Sequence, residues 1–305
     1  MKPASKERSA PADRAPALDL QRFFAREHHR IHLVGVAGSG MSGLAALLIE
    51  LGHAVSGSDK VTSTETERLE QLGLRFHQQH RPEHAATADL VVFSSAIKGD
   101  NPILVASRDS GKPVVRRAEA LAAIMSAKRG IVIAGMHGKT TTSAMTAHVL
   151  CEGGLHPSHY VGAEIPLLGT NAHWDWRGEY FVAEGDESDG TLRCFHPEHS
   201  LILNIEEEHL DFYADLAAIE KVFGQLIDQT SGTVFYNIDD PTPLDCVRNE
   251  KARFPTDFLS MPVIAASMSS CGTSARFFAF IGRAKNSGKR PLMSPANTTC
   301  TMHLE

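Results

Sequence analysis

The sequence predicts an α/β protein made of two successive parallel-sheet units, and three observations carry that prediction. From residue 30 onward, short apolar and β-branched runs alternate with helical stretches of roughly ten residues, a rhythm that requires crossover helices between parallel strands. Two of those strands run straight into glycine-rich turns that open a helix, at residues 35–43 and 135–142. The chain of 305 residues is long enough for two domains, each with a sizeable core.

Residues 1–27 mix Lys, Arg, Asp, Glu, Pro and Ala without an apolar core segment, so they read as a flexible extension and not as a secretory signal. Leu18, Leu20, Phe23 and Phe24 predict one small docking helix there. The first unit spans residues 28–127, with strands expected at 30–36, 53–58, 89–94 and 113–115. Helices are expected between them at 41–51, 64–72 and 102–110. Lys128-Arg129-Gly130 joins this unit to a second, residues 128–245. Its strands are expected at 131–134, 180–184, 200–204 and 233–237, and its helices at 143–150 and 216–230. Beyond about Asp240 both periodicities fade, so residues 246–305 read as a divergent tail.

Apolar content of 42% and charged content of 22% are those of a soluble globular protein, and no apolar run approaches a membrane span. Five widely spaced cysteines without a C-x-x-C pair suggest free thiols in a reducing cytoplasm. The net charge of −6 divides into +5 over residues 251–305 and −11 over the rest. So acidic a body argues against nucleic acid as the main partner, and no membrane or protein partner is implied.

The first turn carries Gly38, Gly40 and Gly43 in a G-x-G-x-x-G pattern, with Asp59 ending the second strand about twenty residues later. That is a dinucleotide-type cradle in its proper strand-to-helix setting: a tight turn, room for a diphosphate, and an acid for a ribose. Three readings follow: a nicotinamide oxidoreductase, a glycine turn that binds nothing, or a cradle for another nucleotide such as a UDP-sugar.

The second turn, Gly135-Met136-His137-Gly138-Lys139-Thr140-Thr141, joins a strand to a helix and reads as an ATP-type phosphate loop. Loop N–H groups and the helix N-terminus would face the anion, Lys139 would reach the outer phosphates, and the Thr140 hydroxyl would hold Mg²⁺. Only two residues separate its glycines where the usual pattern has four. An ordinary glycine turn would leave Lys139 and three threonines unexplained. Glu184 ends a parallel strand on the same crevice and is a candidate Mg²⁺ ligand. Asp186, Glu187 and Asp189 just beyond it read individually as a solvated acidic turn. His209, again just past a strand, is either a surface histidine or a group for metal or phosphate. The convergence of Lys139-Thr140, Glu184 and His209 on one crevice favours the second.

At this point the residues resemble the Mur ligases, and within them the branch that adds L-alanine to UDP-N-acetylmuramate. The matching stretches are HLVGVAGSGMSGLA, VSGSD, VVFSSAIKGDNP, GMHGKTTTSAM, AEGDESDGT and LNIEEEHLDFY, spread over residues 31 to about 240. The resemblance implies a Rossmann-like domain that holds the UDP-sugar, followed by a partial P-loop-type domain that holds ATP and Mg²⁺. It places Gly38, Ser39, Gly40, Met41, Ser42, Asp59, Ser94 and Ser95 beside the UDP-sugar. It makes Lys139, Glu184 and His209 catalytic, with Thr140, Glu184 and His209 at the metal. The implied reaction is ATP-dependent amide formation through an acyl phosphate, in peptidoglycan precursor synthesis in the cytoplasm. Met136, in place of a small hydroxyl residue, and Glu208, in place of an aspartate, are mild departures. Nothing after Asp240 resembles the family's C-terminal domain, so a truncated or frameshifted chain, inactive alone, is the expectation. On that expectation the central sheet would end at an unpaired edge.

Overall fold

The computed structural model describes residues 18–26, 28–188, 190–237 and 242, together with the backbone of strands at 263–271, 274–282 and 300–301. Most of the predicted extension, the acid Asp189 and the side chains of Cys246, Cys271 and Cys300 lie outside the described residues. The expected docking helix is present as α1 (Leu20–Phe24), capped by Asp19 and burying Phe24. Cys151 is a free thiol.

The first unit alternates β1 (Arg30–Val34), α2 (Ser39–Glu50), β2 (Ala54–Asp59), α3 (Thr64–Gln71), β3 (Arg75–Gln78) and β4 (Leu90–Phe93). It continues with α4 (Pro102–Asp109), β5 (Val114–Arg116) and α5 (Arg117–Met125). Its five strands are all parallel in the order β3-β2-β1-β4-β5. The order reverses beside β1, so the crevice at that strand's carboxyl end is the natural ligand position. Local chemistry sets the boundaries. The Ser63 hydroxyl accepts from Thr66 N and Thr66 returns the bond, a capping box that starts α3. Asn101 with Pro102 at the first turn starts α4.

The second unit comprises β6 (Arg129–Ala134), α6 (Lys139–Glu152), β7 (Ser158–Tyr160), β8 (Ala172–His173) and β9 (Tyr180–Glu184). After these come β10 (His199–Ile202), α7 (Leu216–Gln229), β11 (Thr233–Asn237), β12 (Val263–Cys271), β13 (Ser274–Gly282) and β14 (Cys300–Thr301). The sheet order is β14-β13-β12-β11-β10-β6-β9-β7-β8. Strand β12 pairs parallel with β11, and β13 pairs antiparallel with β12. This corrects the expectation that regular structure fades after residue 240 and that the sheet ends there at an unpaired edge. The runs Val263-Ile264-Ala265-Ala266 and Phe277-Phe278-Ala279-Phe280-Ile281 are continuously apolar, so they show no alternation although their residue types favour strands.

One apolar cluster runs through both units, from Leu44 and Leu48 of α2 through Leu121 and Ile124 of α5 to Phe181, Phe195 and Phe223. The helix α5, which sequence periodicity missed, thereby ties the units together. Among the described residues no helix is long and apolar enough to cross a membrane.

Candidate functional site

The carboxyl ends of β1 and β4 face those of β6 and β9 across a cleft of about 360 Å³. Its lining brings together Gly38, Ser39, Gly40, Met41, Ser94 and Ser95 from the first unit with Lys139, Tyr160, Gly162, Glu184 and Asp186 from the second, and with Arg117 of α5.

On the first side, Gly38 caps α2 without a side-chain hydrogen bond, so the helix presents its N-terminus to the cleft. Asp59 is turned to the loop rather than to the cleft. Its carboxylate accepts from Ala37 N (2.9 Å) and Lys60 N (2.7 Å), which fixes the turn between β1 and α2. Ser42 is fully buried, and its hydroxyl donates to Ser39 O at 2.9 Å. Both are thus supports of the cradle and not part of its lining.

On the second side, Gly138 (φ 82°) is left-handed at the start of α6, and Gly135 (φ 149°) approaches Asn204. A Cβ on Gly135 would lie 2.9 Å from Leu203 Cβ, so only glycine permits that approach. Asn204 clasps the loop by accepting from His137 N (2.8 Å) and donating to His137 O (3.1 Å). Met136 is buried, while His137, Gly138 and Thr141 are exposed. Lys139 Nζ curls over its own loop, donating to Gly135 O (2.6 Å), Met136 O (3.1 Å) and Glu187 Oε1 (2.7 Å). The Thr140 hydroxyl donates to Glu184 Oε1 at 3.1 Å, and Glu184 Oε2 accepts from Gly162 N at 2.7 Å.

Two readings of the acidic strip are corrected. Glu187, expected to be solvated, has a side chain only 2% exposed and is the partner of Lys139. Burial pushes its carboxyl above the usual range, and Lys139 opposes that shift. Asp186 pairs with Arg117 at 2.7 Å. Burial raises it, but the Ser188 hydrogen bonds and Arg117 outweigh burial and hold it below the usual range. Periodicity shows neither role, because both partners lie far away in sequence.

His209 adopts a left-handed φ of 53°, unusual for a residue with a Cβ. Its Nε2 stands 3.5 Å from Glu187 Oε1, so the turn places it beside the carboxylate that holds Lys139. Among the described residues no three His, Cys, Asp or Glu side chains gather to hold a metal. Thr140 and Glu184 offer two adjacent oxygens. That fits Mg²⁺, which keeps several waters and binds through one or two carboxylates plus substrate phosphates.

The two sides are latched together. Arg117 Nη1 donates to the Tyr160 hydroxyl (2.9 Å), which donates to Gly40 O (2.7 Å). Asn171 Nδ2 donates to Ser39 O (3.0 Å), and Glu50 at the far end of α2 accepts from Trp174 N (2.6 Å). Arg117, Tyr160, Glu187 and Asn204 are the site residues that sequence reasoning missed.

Comparison with known proteins agrees with this geometry. The model described as "Mur ligase family, catalytic domain" matches residues 30–129, and the "Mur ligase middle domain" matches residues 133–261. UDP-N-acetylmuramate–L-alanine ligase of Syntrophobacter fumaroxidans is 49% identical over 208 residues, 68% of this chain and 44% of that protein. The enzyme of the same name from Desulfosudis oleivorans is 45% identical over 252 residues, 83% of this chain and 52% of that protein. The chain spans about half the length of the curated relatives it matches. The crystal structure of UDP-N-acetylmuramate-alanine ligase from Thermotoga maritima superposes with a TM-score of 0.69 at 25% identity, over 91% of this chain and 61% of that one. With both domain models matched in order along the two sheets that build the cleft, the chain belongs to the Mur ligase family.

Proposed function

We propose that this chain carries the two nucleotide sites of an ATP-dependent ligase that joins L-alanine to UDP-N-acetylmuramate. One observation carries the reading: an open helix N-terminus and, from the second glycine turn, the lysine that starts α6 line a single cleft. A nicotinamide oxidoreductase has no use for the second loop.

The N-terminus of α2 receives the diphosphate of the UDP-sugar, with Ser94 and Ser95 alongside. ATP lies on the loop at residues 135–141. Lys139 leaves the carbonyls of Gly135 and Met136 to meet the outer phosphates, and Glu187 keeps it within reach. Thr140 and Glu184 would hold Mg²⁺, which when bound neutralises phosphate charge. The sugar's carboxylate attacks the γ-phosphate, ADP leaves, and an acyl phosphate remains. The amine of L-alanine then displaces phosphate to form the amide. Little covalent chemistry falls to the protein; its work is positioning and charge stabilisation. His209 steadies Glu187, and through it Lys139.

Calorimetry with Mg²⁺–ADP and separately with UDP-N-acetylmuramate tests the reading. Both are expected to bind, and Lys139→Ala should weaken ADP by at least tenfold while sparing the UDP-sugar, since a charge-assisted contact is worth about 1.5–3 kcal/mol. Binding of NADH in place of the UDP-sugar would defeat the reading.

A further inference from the structure

The first glycine turn and the Thr140–Glu184 pair belong to different domains, yet a short bonded path joins them. At α2, the carbonyl of Gly40 accepts from the Tyr160 hydroxyl at 2.7 Å. Two residues further along the chain, the Gly162 amide donates to Glu184 Oε2 (2.7 Å), and Glu184 Oε1 accepts from the Thr140 hydroxyl (3.1 Å). A second branch leaves the same phenol. Arg117 Nη1 donates to it at 2.9 Å, and Arg117 Nη2 reaches Asp186 at 2.7 Å, two residues past Glu184.

The joints are tight. Tyr160 is 2% exposed. A Cβ on Gly40 would stand 3.0 Å from the Tyr160 hydroxyl, and one on Gly162 would stand 2.8 Å from Glu184 Oε2. Close-packed contacts of this kind have discrete arrangements and little slack, so a shift at one end is taken up at the other.

Resting on the functional reading above, we propose that Tyr160 couples the two nucleotide sites. An anion seated at the N-terminus of α2 lies against Arg117, whose Nη1 falls 3.2 Å from a Cβ placed on Gly40. The anion competes with Asp186 for the guanidinium, and the phenol held between Arg117 and Gly40 settles into one position. That position fixes the chain at Gly162, hence Glu184 and its hold on Thr140, where the Mg²⁺–nucleotide binds. Tyr160 is a positioning residue that acts through Gly162 and Glu184. By linkage the effect is reciprocal, each ligand tightening the other by the same factor.

Calorimetry of Mg²⁺–ADP without and with saturating UDP-N-acetylmuramate reads the coupling directly. The unaltered chain is expected to bind ADP about 5- to 20-fold more tightly in the presence of the sugar nucleotide. In Tyr160→Phe, which keeps the buried ring and removes the hydroxyl, that ratio is expected to fall to about 1. Glu50→Gln loosens the grip on the far end of α2 through His173 and Trp174 and is expected to keep the ratio. A ratio of 1 in the unaltered chain, an undiminished ratio in Tyr160→Phe, or its loss in Glu50→Gln overturns the assignment. Two ligands that bind independently overturn the coupling alone, whereas failure of either to bind removes the functional reading with it. Hydrogen exchange on the unaltered chain keeps the test open should Tyr160→Phe not fold. The Gly162 amide is expected to slow severalfold on addition of the UDP-sugar alone, and an unchanged rate overturns the proposal.

Discussion

Acid should destabilise this fold through His53, and replacing that residue should remove a defined part of the effect. His53 follows α2, is 5% exposed, and neither ring nitrogen has a hydrogen-bond partner among the described residues. Its ring stacks on His29 at 5.8 Å and meets the ring of Phe24 at 5.9 Å. Burial first, then the neighbouring His29 and His28, lower its pKa to about 4. An unfolded imidazole titrates near 6.5, so as pH falls the unfolded chain takes the proton first. A base depressed in the folded state leaves stability intact above about pH 6.5 and removes it as pH falls towards 4. At pH 5 the unfolded group is almost fully charged and the folded one about a tenth charged, a difference of about 2 kcal/mol. His53→Leu keeps roughly the same volume, abolishes that titration and relieves two unpaired nitrogens, itself a gain of about 1–3 kcal/mol at any pH. Thermal unfolding at pH 7 and pH 5 should place the variant above the parent at both. The gap should widen by about 3 °C at the lower pH. His32 and His159, buried with pKa values of about 3 and about 4, slope the same way in both proteins and cancel from the comparison. Parallel curves for variant and parent would refute the reasoning.

Two further perturbations separate stability from binding. Phe223 of α7 is fully buried, and Phe223→Ala should cost about 3–5 kcal/mol, read as a lowered denaturant midpoint. Asp59→Ala removes the acceptor for Ala37 N and Lys60 N; it should weaken UDP-N-acetylmuramate by about tenfold and leave ADP unaffected in calorimetry. A loss of ADP binding in that variant would show that Asp59 supports more than the first turn.

Much of the fold was legible because its signals are local. Strand runs, glycine turns and capping residues such as Ser63 and Asn101 act over three or four positions, and each predicted helix of the first unit lies within two residues of its place. The helix α5 was missed because Arg117-Ala118-Glu119-Ala120-Leu121-Ala122-Ala123-Ile124 is nearly apolar throughout and buried on several sides, which erases the amphipathic period. Strand β7 is only three residues long and buried along its length, so it shows no alternation either. In the candidate site, turn chemistry and strand ends single out Lys139, Thr140 and Glu184, and the structure brings Lys139 and Glu184 to one cleft with Thr140 bonded to Glu184. Glu187 and Asp186 were misread because an acid's burial depends on a distant partner: Lys139 lies 48 residues away and Arg117 lies 69 away.

The first glycine turn shows how far such a motif can be trusted. In a dinucleotide fold the third glycine lets the helix approach its own sheet closely. Here a Cβ on Gly43 would stand 3.2 Å from Asn171 Nδ2 and from Tyr160 Cε2, and 3.3 Å from Ala172 Cβ, all contributed by the second unit. Gly40 likewise faces Tyr160 and Arg117. Two of the three glycines therefore admit the partner domain. The pattern in the sequence is the same whether the helix N-terminus faces a nicotinamide cofactor or a second nucleotide domain, because both need a helix surface without side chains. What separates the alternatives is the chemistry brought against that surface. In this chain it is a phenol, a guanidinium and a hairpin whose Gly162 amide is bonded to Glu184. On the proposed reading, the helix that would receive the first nucleotide is by that arrangement also a wall of the site for the second.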